Sequence, residues 1–453
     1  ENRTSRIGEK RSIVVGVDIM TVPHLTTALT GPLLAIERQF LEELPAIEQW
    51  FRGGFCEHTP PFYASTDLRN AGFKLAPVDL NLFPGGFNNL SDDFLPLAVQ
   101  AAQVAIERVC PEAKRLLLIP ENHTRNRWYL LNVARLQRIL RLAGLEVRIG
   151  SLLPEITAPT ELEATEGERV LVEPLVRRGN RLGLADFDPC AILLNNDLSA
   201  GVPPILRGLS EQNVIPPLVA GWHTRRKSHH AEIYARVATD FAEAIGLDPW
   251  YLIPAHRVVS GLDFQSKEGE DRLADTAAEL FAEIRAAYAE RGIDQEPFLV
   301  VKADAGTYGM GVMTVKDPAE LRELSRRQRN KMAKVKEGLE VHQVIVQEGV
   351  PTFERLGEAV CEPVVYMIDH YVVGGFYRVH TERGPDENLN APGMHFEPLR
   401  FAASCSLPDS GLAPDAEPNR FYAYGVVARL GLLAAAIEIE ELVARFGAEG
   451  DTA

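Results

Sequence analysis

The residues best suited to chemistry lie in VVKADAGTYGMGVMTV, residues 300–315. An apolar run ends in Lys302. A loop then carries Gly306, Thr307, Gly309 and Gly311, and a second apolar run resumes at Val312. Glycines allow positive φ and let backbone N–H groups approach anionic oxygens. A lysine on the incoming strand adds a point charge to the same anion, which makes the loop a candidate phosphate flap. It is not a P-loop, because no Gly-Lys-Ser/Thr follows the glycines. It is not the dinucleotide fingerprint either, because the glycine order is reversed and no helix follows. The bland alternative is a glycine-rich hairpin with Lys302 in solvent. Tyr308 at the loop tip has no evident role.

Downstream residues extend the nucleotide reading. VIVQEGVP sets Gln347 and Glu348 at a strand end, where backbone groups suit an adenine edge and a carboxylate suits a ribose. GGFYRV carries Arg378 on a strand, and DENLNAPGMHFEPLR supplies Glu387, Asn388, Asn390 and Glu397. Carboxylate and amide oxygens are what Mg²⁺ takes when it bridges protein to nucleotide phosphates. HTRRKSHH (223–230) lacks metal-ligand spacing and reads as an anion site at a strand end, with Arg226 and Lys227 favoured. The basic helix expected over 321–340 is a solvated face, from which Lys331 could reach a nucleotide. His58 and His123 read as structural histidines and Cys56 as a packing residue.

The elements that position these groups fall into two halves. RLLLIPE (115–121), the helix 128–144, LEVRIGSLL (145–153), CAILLNNDLS (190–199) and VIPPLVAGWHT (214–224) alternate as in a doubly wound, mainly parallel α/β sheet. Helices over 231–247 and 271–291 follow, then the flap and three strand-like runs within 341–380, which is α+β order. The expected domains are 13–225 and 226–453. Residues 51–90 read as a loop-rich segment that packs or binds, and 401–420 as a loop. The chain has 453 residues and a formal net charge of −16, which argues against general nucleic-acid or membrane binding. Five scattered cysteines suit a reducing compartment, and the polar first residues lack a signal-peptide core, so a cytoplasmic protein is expected. The late run 425–446 carries charges and reads as a packed helix.

The strand lysine with its glycine flap, the Gln-Glu strand end, Tyr-Arg-Val and Asn-x-Asn before a glycine turn resemble the ATP-grasp superfamily over about residues 226–400. KADAGTYGMGVM, VQEGVPT, EPVVYMID, GGFYRV and ENLNAPGM, with PENHTRN, VDLNLFP, GFNNL and GWHTRRKS upstream, resemble the proteobacterial ATP-grasp-type glutamate–cysteine ligase family. The resemblance implies ATP-dependent joining of the glutamate γ-carboxylate to the cysteine amine through an acyl phosphate, the first step of glutathione synthesis. It implies Lys302 and the flap amides on the α/β-phosphates, Mg²⁺ across the β/γ oxygens, and Arg378 on the transferring phosphoryl group or acyl-phosphate oxygen. Many such ligases carry an acidic-x-Asn metal pair. This chain has Asn388-x-Asn390, so Glu348, Glu362, Glu387 and Glu397 all qualify as metal ligands beside Asn390. A glutamate α-carboxylate calls for an arginine clamp; Arg52, Arg69, Arg125 and Arg225 are the candidates, with Asn388 as a further substrate contact. Other readings keep the nucleotide site with different substrates: another amino-acid or peptide ligase, a small-molecule kinase, or an ATP sensor.

Overall fold

The computed structural model describes residues 32–264, 267–306, 311–333, 340–398 and 420–447. Thr307, Tyr308 and Gly309 of the flap and residues 401–419 of the expected loop 401–420 lie outside them, while Arg420 begins a helix. Two helices, α1 (Pro32–Glu42) and α2 (Leu44–Glu57), precede two strands, β1 (Tyr63–Asn70) and β2 (Leu75–Asn81). Helix α3 (Leu95–Val109) leads to β3 (Arg115–Pro120), α4 (Arg127–Leu142) and β4 (Glu146–Ser151). Then come β5 (Thr160–Glu163), β6 (Arg169–Pro174), a ribbon of β7 (Val176–Arg178) and β8 (Arg181–Gly183), β9 (Ala191–Asn195) and β10 (Asn213–Ile215).

Strands β10-β9-β3-β4-β6 pair in parallel in that order, and β5 closes the edge antiparallel. The apolar runs of β3 and β9 are continuous because both faces of the sheet are covered. Asn126 caps α4 by accepting from Tyr129 N at 3.1 Å. The strand expected over 214–224 stops at Ile215, because Pro216 and Pro217 have no N–H to offer the ladder.

The second sheet follows α5 (Lys227–Ala244). It contains β11 (His256–Ser260), β12 (Leu299–Ala303), β13 (Val312–Val315) and β14 (Gln343–Glu348), antiparallel in the order β11-β14-β12-β13. Helix α6 (Lys267–Glu290) covers one face: Leu273, Leu280 and Ile284 cluster with Leu299, Val301 and Val346. Strand periodicity turns Val300, Lys302 and Gln347 to the other face. In place of one helix over 321–340 there is a 3₁₀ turn, Pro318–Arg322, capped by Asp317, and then α7 (Arg326–Ala333).

The third sheet joins both ends of the chain. Its strands β15 (Arg355–Leu356), β16 (Ala359–Ile368), β17 (Tyr371–His380) and β18 (His395–Pro398) are met by β1 and β2, giving the antiparallel order β18-β17-β16-β1-β2 with β15 on β16. The loop-rich reading of 51–90 therefore gives way to helix and strand. Asp67 and Arg69 interrupt the apolar pattern there because their face of β1 lines a polar cleft. The sheet draws residues from both sides of the boundary expected at 225.

Helix α8 (Arg420–Phe446) packs on α5 and this sheet. No helix among the described residues is long and apolar enough to cross a membrane. Glu438 of α8 is fully buried and accepts from Arg225 Nε at 2.8 Å and Nη2 at 3.0 Å, while His230 Nδ1 lies 2.9 Å away. Burial alone would raise the Glu438 pKa; Arg225 and His230 outweigh it and hold it down at about 2. Arg225→Met strands this carboxylate and is expected to cost about 3–5 kcal/mol in urea unfolding. Because the folded pKa is depressed, the stabilisation by Glu438 is complete above about pH 4.5 and is lost as pH falls through 2. The unfolding free energy of Arg225→Met should accordingly vary less with pH over that window than that of the native chain.

Candidate active site

The second and third sheets face each other across an open cleft. Lys302 projects into it from β12, with Nζ donating to Val78 O at 2.6 Å and to Gln347 Oε1 at 2.9 Å. Burial pushes its pKa down to about 8, opposed by Asp79 and aided by Lys227. Gly306 and Gly311 bracket the flap at φ 100° and 62°, conformations that disfavour a side chain. Gly306 reaches the cleft wall, which Phe298, Val300, Val312 and Val350 make apolar.

Arg378 of β17 stands on the opposite sheet. Its Nη1 donates to Asp67 Oδ2 at 2.9 Å and to Glu362 Oε1 at 2.5 Å. Its Nε is buried with no hydrogen-bond partner among the described residues. Arg69 takes the other Glu362 oxygen at 2.6 Å and donates to Pro385 O and Glu387 O at 3.0 and 2.7 Å. This network of two arginines and two carboxylates fixes the loop 385–390, which brings Asp386, Glu387, Asn388 and Asn390 to the cleft. Burial and the neighbouring Glu362 raise the Asp67 pKa despite Arg378, so Asp67 lacks full compensation for its charge.

The structure gathers many of the residues singled out from sequence and separates others. Lys302, Gly306, Gln347, Glu348, Lys227, Arg69, Glu362, Arg378, Glu387, Asn388 and Asn390 line the cleft. Glu348 is buried, with its carboxylate 2.9 and 2.7 Å from Lys74 Nζ and 3.0 Å from Ala255 N. Both oxygens of Glu362 are held by arginines. Glu387 accepts from Arg383 and from Gly384 N, and Asn388 Oδ1 accepts from Asn390 N at 2.9 Å. Glu397 lies on β18, 3.7 Å from His395, outside the cleft lining. Arg52 on α2 and Arg125 before α4 are exposed and also outside it. Arg225 is committed to Glu438, and Arg226 Nη1 donates to the carbonyls of Thr224 and Arg225. Lys227 meets Asp79 at 2.7 Å and lies 4.5 Å from the Trp222 ring centre.

Asp67, Asp79, Asp386 and Lys74, the partner of Glu348, are site residues that the sequence reading passed over. For Asp67, its alternation with Arg69 in STDLRN is the signal that places both on one strand face. No group of three or more His, Cys, Asp or Glu able to hold a metal occurs among the described residues. The cleft lining nevertheless carries oxygen donors, among them the carboxylates of Asp67, Asp386 and Glu387 and the amides of Asn388 and Asn390, with Glu362 and Glu348 already engaged by arginines and Lys74. A hard cation bound with part of its water shell and phosphate oxygens suits such a set.

Several known proteins resemble this chain. A family model described as glutamate-cysteine ligase matches residues 37–439. A crystal structure of a candidate gamma-glutamylcysteine synthetase from Methylobacillus flagellatus is 66% identical with a TM-score of 0.87, covering 93% of this chain and 99% of that one. D-alanyl-alanine synthetase A from Vibrio cholerae aligns at 11% identity and TM-score 0.35, over 70% of this chain and 81% of that one. A glutathione synthetase-like effector from Globodera pallida gives 11% and 0.36, over 75% and 74%. These last two are too remote to support an argument. No curated protein sequence matches the chain.

Proposed function

The chain belongs to the glutamate–cysteine ligase family, and from that premise we propose how it joins the γ-carboxylate of L-glutamate to the amino group of L-cysteine with ATP. The observation that carries the proposal is the pairing of Lys302 and the flap on one sheet with Arg378, its Nε unpartnered among the described residues, on the other. A carboxylate is a poor electrophile, and phosphorylation by ATP makes it an acyl phosphate. The work of the protein is then positioning and charge stabilisation.

In this reading the second and third sheets form the two jaws of an ATP-grasp module. The apolar wall from Phe298 to Val350 seats the adenine, and Lys302 with the amides of Gly306 and Gly311 holds phosphate oxygens. Arg378 turns its free Nε–H to the transferring phosphoryl group or the acyl-phosphate oxygen. Closure of the flap excludes water that would hydrolyse the intermediate. Asp67, Asp386, Glu387, Asn388 and Asn390 would hold Mg²⁺; the incomplete charge compensation at Asp67 supports this set. When bound, the metal neutralises charge on the β- and γ-phosphate oxygens. Arg69 acts here as the residue that positions the metal-donor loop. A substrate cysteine must be reduced, which fits the cytoplasmic setting expected from the sequence.

Incubation with Mg·ATP and amino acids, singly and in pairs, tests the function through phosphate release and product mass. Phosphate release that depends on both glutamate and cysteine, with a dipeptide product, is the expected result. A phosphorylated product, or nucleotide binding without turnover under any substrate pair, would overturn it.

A further inference from the structure

We propose that an open pocket separate from the cleft is an effector site for an apolar α-amino acid, coupled to the reaction through β17. The pocket lies between the 3₁₀ turns Phe87–Asn89 and Asp92–Phe94, helices α3 and α4, and strand β17. None of its lining residues lines the cleft.

The floor is apolar and the rim carries charges of both signs. Phe87, Phe94, Ile139 and Val373 are the buried part of the lining. Arg135 and Arg138 stand three positions apart on α4 and so share a face. Arg135 donates to Glu166 Oε2 at 3.2 Å. Arg138 and Asp92 are exposed at the rim and make no hydrogen bond or ion pair among the described residues. One unengaged cation, one unengaged anion and an apolar surface fit a zwitterion with an apolar side chain. Its carboxylate would take the Arg138 fork, its ammonium Asp92, and its side chain the floor. A dicarboxylate would set its second charge against Asp92. A nucleotide would bring several phosphate charges to a single unengaged cation.

The pocket is built on the segment that joins both jaws. Residues 84–94 follow β2, whose Val78 carbonyl accepts from Lys302 Nζ. Asn132 of α4 holds this segment by accepting from Gly86 N and Phe87 N at 2.8 and 2.9 Å, and Tyr366 of β16 donates to Gly85 O. Leu90 and Phe94 pack on β17 at Gly374, where a Cβ would lie 3.5 and 3.6 Å from them. The same strand carries Arg378 one turn of the pleat further on. A ligand wedged between α4 and β17 therefore bears on the strand that holds Arg378 and, through the segment, on the strand that meets Lys302. Where its contacts differ between two arrangements of these strands, it shifts their populations and with them kcat.

Calorimetric titration tests the site with L-phenylalanine, L-leucine, 3-phenylpropionate and phenethylamine. The last two are phenylalanine without its ammonium and without its carboxylate. At least one of the two amino acids should bind with a Kd of about 1 mM or below. Each half-analogue should bind about tenfold or more weakly than phenylalanine, because it forfeits one charge pair. Arg138→Gln and Asp92→Asn, both at exposed positions, should each weaken the amino acid by about tenfold or more and leave turnover in its absence unchanged. No binding of either amino acid, binding that survives both substitutions, or equal binding of a half-analogue overturns the site. At saturating glutamate, cysteine and Mg·ATP, the bound amino acid should change kcat by about fivefold or more, and Arg138→Gln should remove that response at the same concentration. Binding with an unchanged kcat overturns the effector role. A native chain without turnover overturns the ligase reading instead, and the titrations still judge the site.

Discussion

Arg378→Ala lowers kcat by about 10²–10³-fold, the scale of losing one donor to a developing oxyanion, while the KM for ATP changes far less. Steady-state ADP release at saturating glutamate and cysteine measures the first quantity, and an ATP titration the second. The asymmetry follows from where Arg378 stands. In the free protein Nη1 is held by Asp67 and Glu362, and Nε has no partner among the described residues. The contact left to make forms only as charge builds on the transferring group. Arg378→Ala also strands two carboxylates, so Arg378→Lys is the control. It keeps the charge near Asp67 and Glu362 but loses the fixed fork, and kcat should stay low while thermal stability recovers. Equal changes in kcat and KM would assign Arg378 to ground-state binding.

Lys302→Met abolishes nucleotide use for a different reason. The native ammonium is half-buried, with a pKa lowered to about 8 and Val78 O and Gln347 Oε1 as its hydrogen-bond partners among the described residues. A triphosphate beside it favours the charged form and raises that pKa. At pH 8 about half of the lysines are neutral before ATP binds, so binding should take up about half a proton. The uptake should grow above pH 8 and vanish near pH 6.5. Calorimetry of ATP binding in buffers of different ionisation enthalpy reads this directly. Lys302→Met should show much weaker binding and no such uptake; an uptake that persists would assign the proton to another group.

What the sequence revealed depended on whether a residue's partner lay nearby along the chain. The α/β half was legible because β3, α4, β4 and β9 are fixed by apolar runs and periodicity. The turn between β12 and β13 was legible from Gly306 and Gly311, and the position of Arg378 from the strand that holds it. The first two strands were not, because Asp67 and Arg69 break the apolar pattern to meet Arg378 and Glu362, whose identity as partners only the folded sheet reveals. Arg225 was a plausible clamp until Glu438, on the last helix, claimed it. Glu348 suits a ribose by type and position, yet Lys74, distant along the chain, holds its carboxylate. A side chain's type can be read locally, whereas its availability is a property of the tertiary structure.

The seating of β1 and β2 in the sheet of β16 to β18 also bears on how the chain is made. Asp67 and Arg378 are separated by 311 positions, and Arg225 and Glu438 by 213. The parallel sheet can assemble from neighbouring segments as the ribosome releases them. The reaction centre cannot, since its first strand must wait for β16 and its buried arginine for α8. Such high contact order slows folding and delays completion of the site until α8 has been made. A nascent chain therefore holds the α/β sheet before the cleft between the other two sheets is closed.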